Sequence, residues 1–151
     1  MSNTVSFETT SLVRDTCLCL RAQQAARALA RHFDEALRPA GLTNQQFSLL
    51  MALNRSDAPP MGPVAKLLAM DRTTLTAALK PLERRGLVVI KAAPTDGRAR
   101  ILVLTAAGRE TLARAVAIWR KTHAAVEGRL VGLDPESVRT ALGRLAGVSR
   151  R

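Results

Sequence analysis

MGPVAKLLAMDRTTLTAALKPLERRGLVVIKAAPTDGRARILVL, residues 61–104, is the stretch on which the fold turns. Two helical patterns come first, and then the hydrophobic period changes. The first pattern is short, entered through Pro63 and marked by Val64, Leu67 and Leu68. Asp71 is a suitable N-cap for the second, which is expected over 72–85 and is stopped by Gly86. Leu87-Val88-Val89-Ile90 and Ile101-Leu102-Val103-Leu104 are apolar, branched runs separated by turn residues, so they read as a strand, turn, strand hairpin. Short helix, turn, second helix, hairpin is the order of a winged helix-turn-helix.

Working outward, a helix is expected over 12–37, where Ala25, Leu29, Phe33 and Leu37 recur every four residues and Pro39 with Gly41 closes the pattern. Thr43 has Gln46 three residues on, the capping-box spacing, and Phe47, Leu50, Met51 and Asn54 follow along one face. Downstream, Thr105 caps a helix in which Leu112, Val116, Trp119, His123, Val126 and Leu130 step by four and three alternately, a short heptad seam. Asp134 before Pro135 opens the last helix, with Val138, Leu142 and Leu145 on its apolar side. The chain is therefore expected to be mainly α with a small β-hairpin wing. It reads as a single domain, 1–151, in which a winged helix-turn-helix lobe over 43–104 is flanked by helices over 12–38 and 105–148. These flanking stripes exceed what a central unit of about 60 residues can cover. A homodimer burying them against their symmetry mates is the economical solution, and packing within one chain is the alternative.

Composition says what such a lobe meets. The 151 residues carry 23 Lys and Arg against 12 Asp and Glu, a net charge of +11 that calls for an anionic partner. With no Tyr, three Phe and one Trp, the chain lacks the aromatic platform on which single strands stack, so duplex DNA fits better. A hydrophobic content of 47% excludes a disordered basic tail. No apolar run reaches the roughly 18 residues of a membrane span, and the N-terminus, interrupted by Glu8, Arg14, Asp15 and Arg21, does not read as a signal peptide. With only two cysteines, a cytoplasmic address is expected. There is no Gly-rich phosphate loop and no G-x-S-x-G. Cys17-x-Cys19 with His32 thirteen residues beyond Cys19 has no zinc-finger spacing. No enzyme, metal or cofactor is expected.

At about 100° per residue, Leu75, Leu79 and Leu82 share one face of the helix over 72–85, with Thr73, Thr76, Lys80 and Arg84 nearly opposite. Small hydroxyl residues allow close approach to base edges, and Lys and Arg reach phosphate or guanine. Arg72 and Thr74 sit at the start of the helix, where recognition helices touch DNA. Any surface helix has a polar face, so the hairpin carries more weight. Its turn places Arg98 and Arg100 at or beside the tip, where a narrow minor groove attracts arginine. Pro81 inside the helix is expected to bend it before Leu82. A non-specific architectural DNA-binding protein is the alternative that the net charge alone allows. The two differ in the preference for an operator over random duplex, on the order of 10³ or more for a regulator.

These residues resemble the MarR family of dimeric winged-helix transcription regulators. The resemblance rests on Gly41-Leu42-Thr43-x-x-Gln46-Phe47, on Leu82-Glu83-Arg84-Arg85-Gly86-Leu87-Val88, and on Asp96-Gly97-Arg98 followed by Leu104-Thr105-x-x-Gly108, and it covers 12–145. It implies a homodimer built from the first and last two helices, with recognition helices in successive major grooves of a pseudo-palindromic operator and wings in the flanking minor grooves. By resemblance, Asp96 orients the wing arginine, Arg98 enters the minor groove, and Thr73, Thr74, Thr76 and Lys80 fall on contact positions. Ala93 departs from the family, many members of which have an acidic residue before the Pro. Also implied is a repressor relieved by a small anionic or phenolic ligand held between the dimerisation helices and the lobe, or by cysteine oxidation. By chemistry alone, His32 and His123 either contact a ligand carboxylate or are packed polar residues. Cys17 and Cys19 lie about 200° apart on a regular helix and cannot bridge each other there. Either they are small buried apolar residues, or one of them meets its mate at the dimer axis, with Arg14 and Arg21 favouring thiolate.

Overall fold

A computed structural model describes residues 4–147. Seven α-helices and one hairpin follow in the order α1 (Phe7–Thr16), α2 (Leu18–Leu37), a 3-10 turn (Arg38–Ala40), α3 (Asn44–Leu53), α4 (Met61–Leu67), α5 (Arg72–Arg84), β1 (Val88–Ala92), β2 (Arg100–Leu104), α6 (Ala106–Glu127) and α7 (Pro135–Gly147). The last residue of the expected 105–148 span, and residues 1–3 and 149–151 of the expected domain, lie outside those described.

The core is a leucine cluster under the helix-turn-helix. Leu37, Leu49, Leu50, Leu75, Leu79, Leu82 and Leu102 are fully buried, joined by Phe33, Phe47, Val64, Val88 and Leu112. The expected caps form. Thr43 and Gln46 make both bonds of the capping box, Asp71 accepts from the Thr74 backbone N–H at 2.7 Å, and Thr105 accepts from Gly108 at 3.0 Å. The strands pair antiparallel, with Val88 opposite Leu104 and Ala92 opposite Arg100.

Three expectations are corrected. The first helix begins at Phe7 and breaks at Cys17, whose extended backbone (ψ 111°) ends α1 and whose sulfur caps α2 by accepting from the Leu20 N–H at 3.4 Å. The angle of about 200° drawn for a regular helix therefore does not separate Cys17 from Cys19. On α3 the inward side is Phe47, Leu49, Leu50, Ala52 and Leu53, while Met51 is 44% exposed and Asn54 caps the end. A helix this apolar is packed on several sides, so a single face could not be chosen from periodicity. The heptad seam leaves α6 after Val126, because the helix ends at Glu127 and Leu130 lies beyond it. α5 continues through Pro81 to Arg84, with Leu82 fully buried. Pro81 sits in the last turns, where the loss of one donor is local.

The terminal helices have no buried residue at all on α1 or α7. Val5, Phe7, Leu12, Val13, Leu18, Leu142 and Leu145 are exposed, and so is Leu29 of the α2 stripe at 38%. One protomer covers only the Phe33 and Leu37 end of that stripe. Large apolar side chains left exposed along helices in this number are characteristic of a protein that associates.

Candidate nucleic-acid interface

α5 divides as its sequence requires. Leu75, Leu79 and Leu82 are fully buried, while Arg72, Thr73, Thr74, Thr76, Lys80 and Arg84 are all exposed. Their chemistry is not equivalent. Thr76 donates its hydroxyl to the Arg72 carbonyl at 2.8 Å, which turns its methyl outward as the free group. Thr74 is engaged with Asp71, whose carboxyl is held below the usual carboxylate range by the Thr74 backbone N–H first and its side chain second. The side chains of Arg72, Thr73, Lys80 and Arg84 keep no hydrogen-bond or ion-pair partner among the described residues and are free to meet a ligand.

The α5 face is not isolated. Thr73, Thr74, Ala77, Ala78 and Pro81 line a cleft of about 570 Å³ together with Thr43, Gln45 and Gln46 at the start of α3. The sequence offered no sign of this second wall, because Thr43 and Gln46 were accounted for by capping. The hairpin supplies a third element. Arg98 is exposed with an unpaired guanidinium, and its backbone N–H donates to Asp96 Oδ1 at 3.0 Å. The Asp96 carboxylate thus shapes the turn through the backbone of Arg98 rather than by gripping its side chain. Arg100 is exposed but donates to the Gly97 carbonyl at 3.1 Å, so part of its guanidinium is committed to the turn.

The root of the hairpin is tied to α6. The Thr105 hydroxyl donates to the carbonyl of Gly86 at 2.7 Å, its backbone N–H reaches Leu87 O at 3.1 Å, and Arg109 donates to Leu104 O at 2.9 Å. Gly108 is there by necessity, since a Cβ on it would stand 2.2 Å from Leu87 O. The other side of the hairpin is braced by a segment the sequence did not assign to the sheet. Leu102 N–H donates to Pro59 O at 2.9 Å, and Pro60 forms an isolated bridge with Ile101.

The two histidines find partners within the chain. His123 stacks on Trp119 at 4.6 Å between centroids, and its Nδ1 is 3.6 Å from the Glu127 carboxylate, which Arg139 of α7 also holds at 2.5 Å. His32 meets Phe33 edge-on at 5.9 Å. A cleft of about 490 Å³ between α3 and α6 is lined instead by Met51, Asn54, Arg109, Leu112, Ala113, Val116, Ala117 and Arg120. Cys17 is half-buried and Cys19 exposed, with the Gln23 amide 3.1 Å from the Cys19 sulfur. Among the described residues there is no cluster of three or more metal-ligating side chains, and no helix is long and apolar enough to cross a membrane.

The model of the MarR family matches residues 40–99. The chain is similar to the HTH-type transcriptional repressor Rv2887 of Mycobacterium tuberculosis, at 31% identity over 110 residues that cover 73% of this chain and 79% of that one. It is similar to the transcriptional activatory protein BadR of Rhodopseudomonas palustris at 33% identity over 95 residues, which span 61% of this chain and 54% of BadR. Among solved structures, the M. tuberculosis transcriptional regulator MosR in complex with DNA superposes with a TM-score of 0.79 at 38% identity, covering 88% of this chain and 96% of that one.

Proposed function

This chain belongs to the MarR family of transcriptional regulators, a family of regulators rather than enzymes, and from that premise we propose that it acts in the cytoplasm as a homodimer on a pseudo-palindromic DNA operator. The observation that carries the proposal is the exposed polar and cationic set: the free side chains of α5, the uncharged polar start of α3 beside them, and the unpaired Arg98 of the wing. In this reading α5 enters the major groove. Thr73 and the Thr76 methyl approach base edges, Arg72, Lys80 and Arg84 meet phosphate or guanine, Thr74 and Asp96 hold their elements in shape, and Arg98 enters the minor groove with Arg100 behind it. The exposed leucines of α7 and the apolar residues of α1 are covered by the second subunit.

Operator occupancy represses in this proposal, and release comes from a small anionic or phenolic effector or from thiol oxidation. The cleft between α3 and α6 supports the first route. It offers two arginines beside an aliphatic floor, and Arg109 also holds the Leu104 carbonyl at the root of the wing. A carboxylate that captured Arg109 would loosen β2. His123 faces Glu127 and stacks on Trp119, which supports a packing role for it in this proposal. The accessible Cys19 and the helix break at Cys17 support the second route.

The test is an anisotropy titration with duplex from upstream of the coding sequence against scrambled duplex, at two salt concentrations, with reduced and mildly oxidised protein. A preference on the order of 10³ is expected. Equal affinity for both duplexes with a steep salt slope would establish a non-specific architectural binder instead.

A further inference from the structure

α3 is the helix by which the DNA-reading lobe is attached to the rest of the molecule. It packs on α2 and α6 on one side and on α4 and β2 on the other, whereas α5 packs chiefly on α4 and β1. The attitude of α5 relative to the long helix α2 therefore depends on the joint between α2 and α3, beside the direct packing of α2 on α6. Inside that joint Leu37, Ala40 and Leu42 are buried. Apolar packing of this kind resists separation but is non-directional, so it does not by itself fix an angle.

A directional bond does. Asp34, on the last turns of α2, accepts from the backbone N–H of Asn44, the first residue of α3, at 2.6 Å. The Thr43 and Gln46 N–H groups at this corner are already engaged, since the two residues satisfy each other. Glu35 is paired with Arg38, leaving Asp34 as the carboxylate that crosses from one helix to the next. An ionised acceptor on a helix-initial N–H gains from both the charge-assisted bond and the helix dipole. The same joint is overlain from the far end of α5, because the Arg85 guanidinium would lie 3.1 Å from a Cβ on Gly41, whose φ of 71° closes the turn.

We infer that Asp34 is a positioning residue for operator recognition. By holding Asn44 it fixes the angle between α2 and α3, and with it the separation of the two reading helices in the dimer. The inference rests on the dimeric, two-half-site function proposed above.

The test compares the parent with Asp34→Ala and Asp34→Asn on the footprinted operator, on versions with its half-sites moved by one or two base pairs, and on a single half-site. Thermal melting is followed in parallel. Asp34→Ala is expected to lose about ten-fold in affinity at the native spacing, to flatten the spacing profile, and to bind the single half-site within about two-fold of the parent. Asp34→Asn, whose amide oxygen still accepts, is expected to keep the parent's optimum. An unchanged profile for Asp34→Ala overturns the inference alone. So does an equal loss on all duplexes, the single half-site included, or an Asp34→Asn variant that behaves as Asp34→Ala. A parent without any preference for paired half-sites overturns the proposed function and this inference with it.

Discussion

Arg98→Ala isolates the contribution of the wing. The guanidinium of Arg98 has no partner among the described residues, and the bond that shapes the turn comes from its backbone N–H to Asp96, so truncation leaves the hairpin intact. What is lost is contact with DNA. A specific arginine contact is worth about 1–3 kcal/mol; taking about 1–2 kcal/mol for each wing and two wings per dimer gives about 2–4 kcal/mol, or about thirty- to seven-hundred-fold in operator affinity. The salt slope should fall by about two, one for each wing. Arg100→Ala is the internal control, because its guanidinium is partly committed to the Gly97 carbonyl, and its loss should stay below about ten-fold. Lys80→Ala should weaken operator and scrambled duplex alike. The assay is anisotropy at two salt concentrations. An Arg98→Ala protein within about three-fold of the parent on the operator would remove the wing from the recognition scheme.

Further outcomes follow from packing and caps. Gly108→Ala places a Cβ 2.2 Å from the Leu87 carbonyl, which cannot retreat without moving the backbone that leads into β1, so a loss of about 3 kcal/mol is expected from urea melts. An unshifted midpoint would refute the close approach. Leu142→Glu with Leu145→Glu charges residues that are 53% and 45% exposed in the protomer, and sedimentation should show a monomer that no longer binds the operator. A variant that remains dimeric would move the interface off α7. Asp71 is depressed by its bonds to Thr74, so its contribution to stability is present above the unfolded value of about 4 and is lost as pH falls through the lower folded value. Asp71→Asn should therefore flatten the acid limb of the stability curve, measured by urea melts at successive pH values, and an unchanged limb would refute the assignment.

The elements that were legible in the sequence are those whose signal is local. Thr43 with Gln46, Asp71, and Thr105 before Gly108 are caps that need only a few residues, and all three form. The Leu75, Leu79, Leu82 stripe is periodic and buried, and its opposite face was legible for the same reason. What escaped is non-local or runs against a pattern. Asp34 is ten residues from Asn44, and nothing in its own helix marks it as a cap for another. Pro59 and Pro60 read as a loop, because prolines cannot donate to a ladder, yet the Pro59 carbonyl accepts from Leu102 and needs no donor of its own. The break at Cys17 has neither Gly nor Pro to announce it. The apolar repeat runs on across it, and only a thiol taking the place of a capping hydroxyl shows why the chain restarts there.

The bonds at the root of the hairpin bear on how regulation reaches DNA. Just beyond α5, the Gly86 carbonyl takes the Thr105 hydroxyl, while Leu87 O takes the Thr105 N–H and Leu104 O takes Arg109. The end of the reading helix and both strands of the wing are thus fastened within a few residues of one another to the start of α6. Directional bonds in that number, closed over a glycine with no room for a side chain, couple the end of α5 to the wing. A shift of the wing is then passed on to the end of α5. At the α2 to α3 joint the tie from a side chain is one exposed carboxylate, beside the backbone bonds of Gly41 to Arg38 O and of Leu42 to Leu37 O. An effector that displaced α3 by a fraction of a helical turn would change the separation of the two reading helices while leaving each of them intact. Release of the operator would follow from geometry, with no loss of fold.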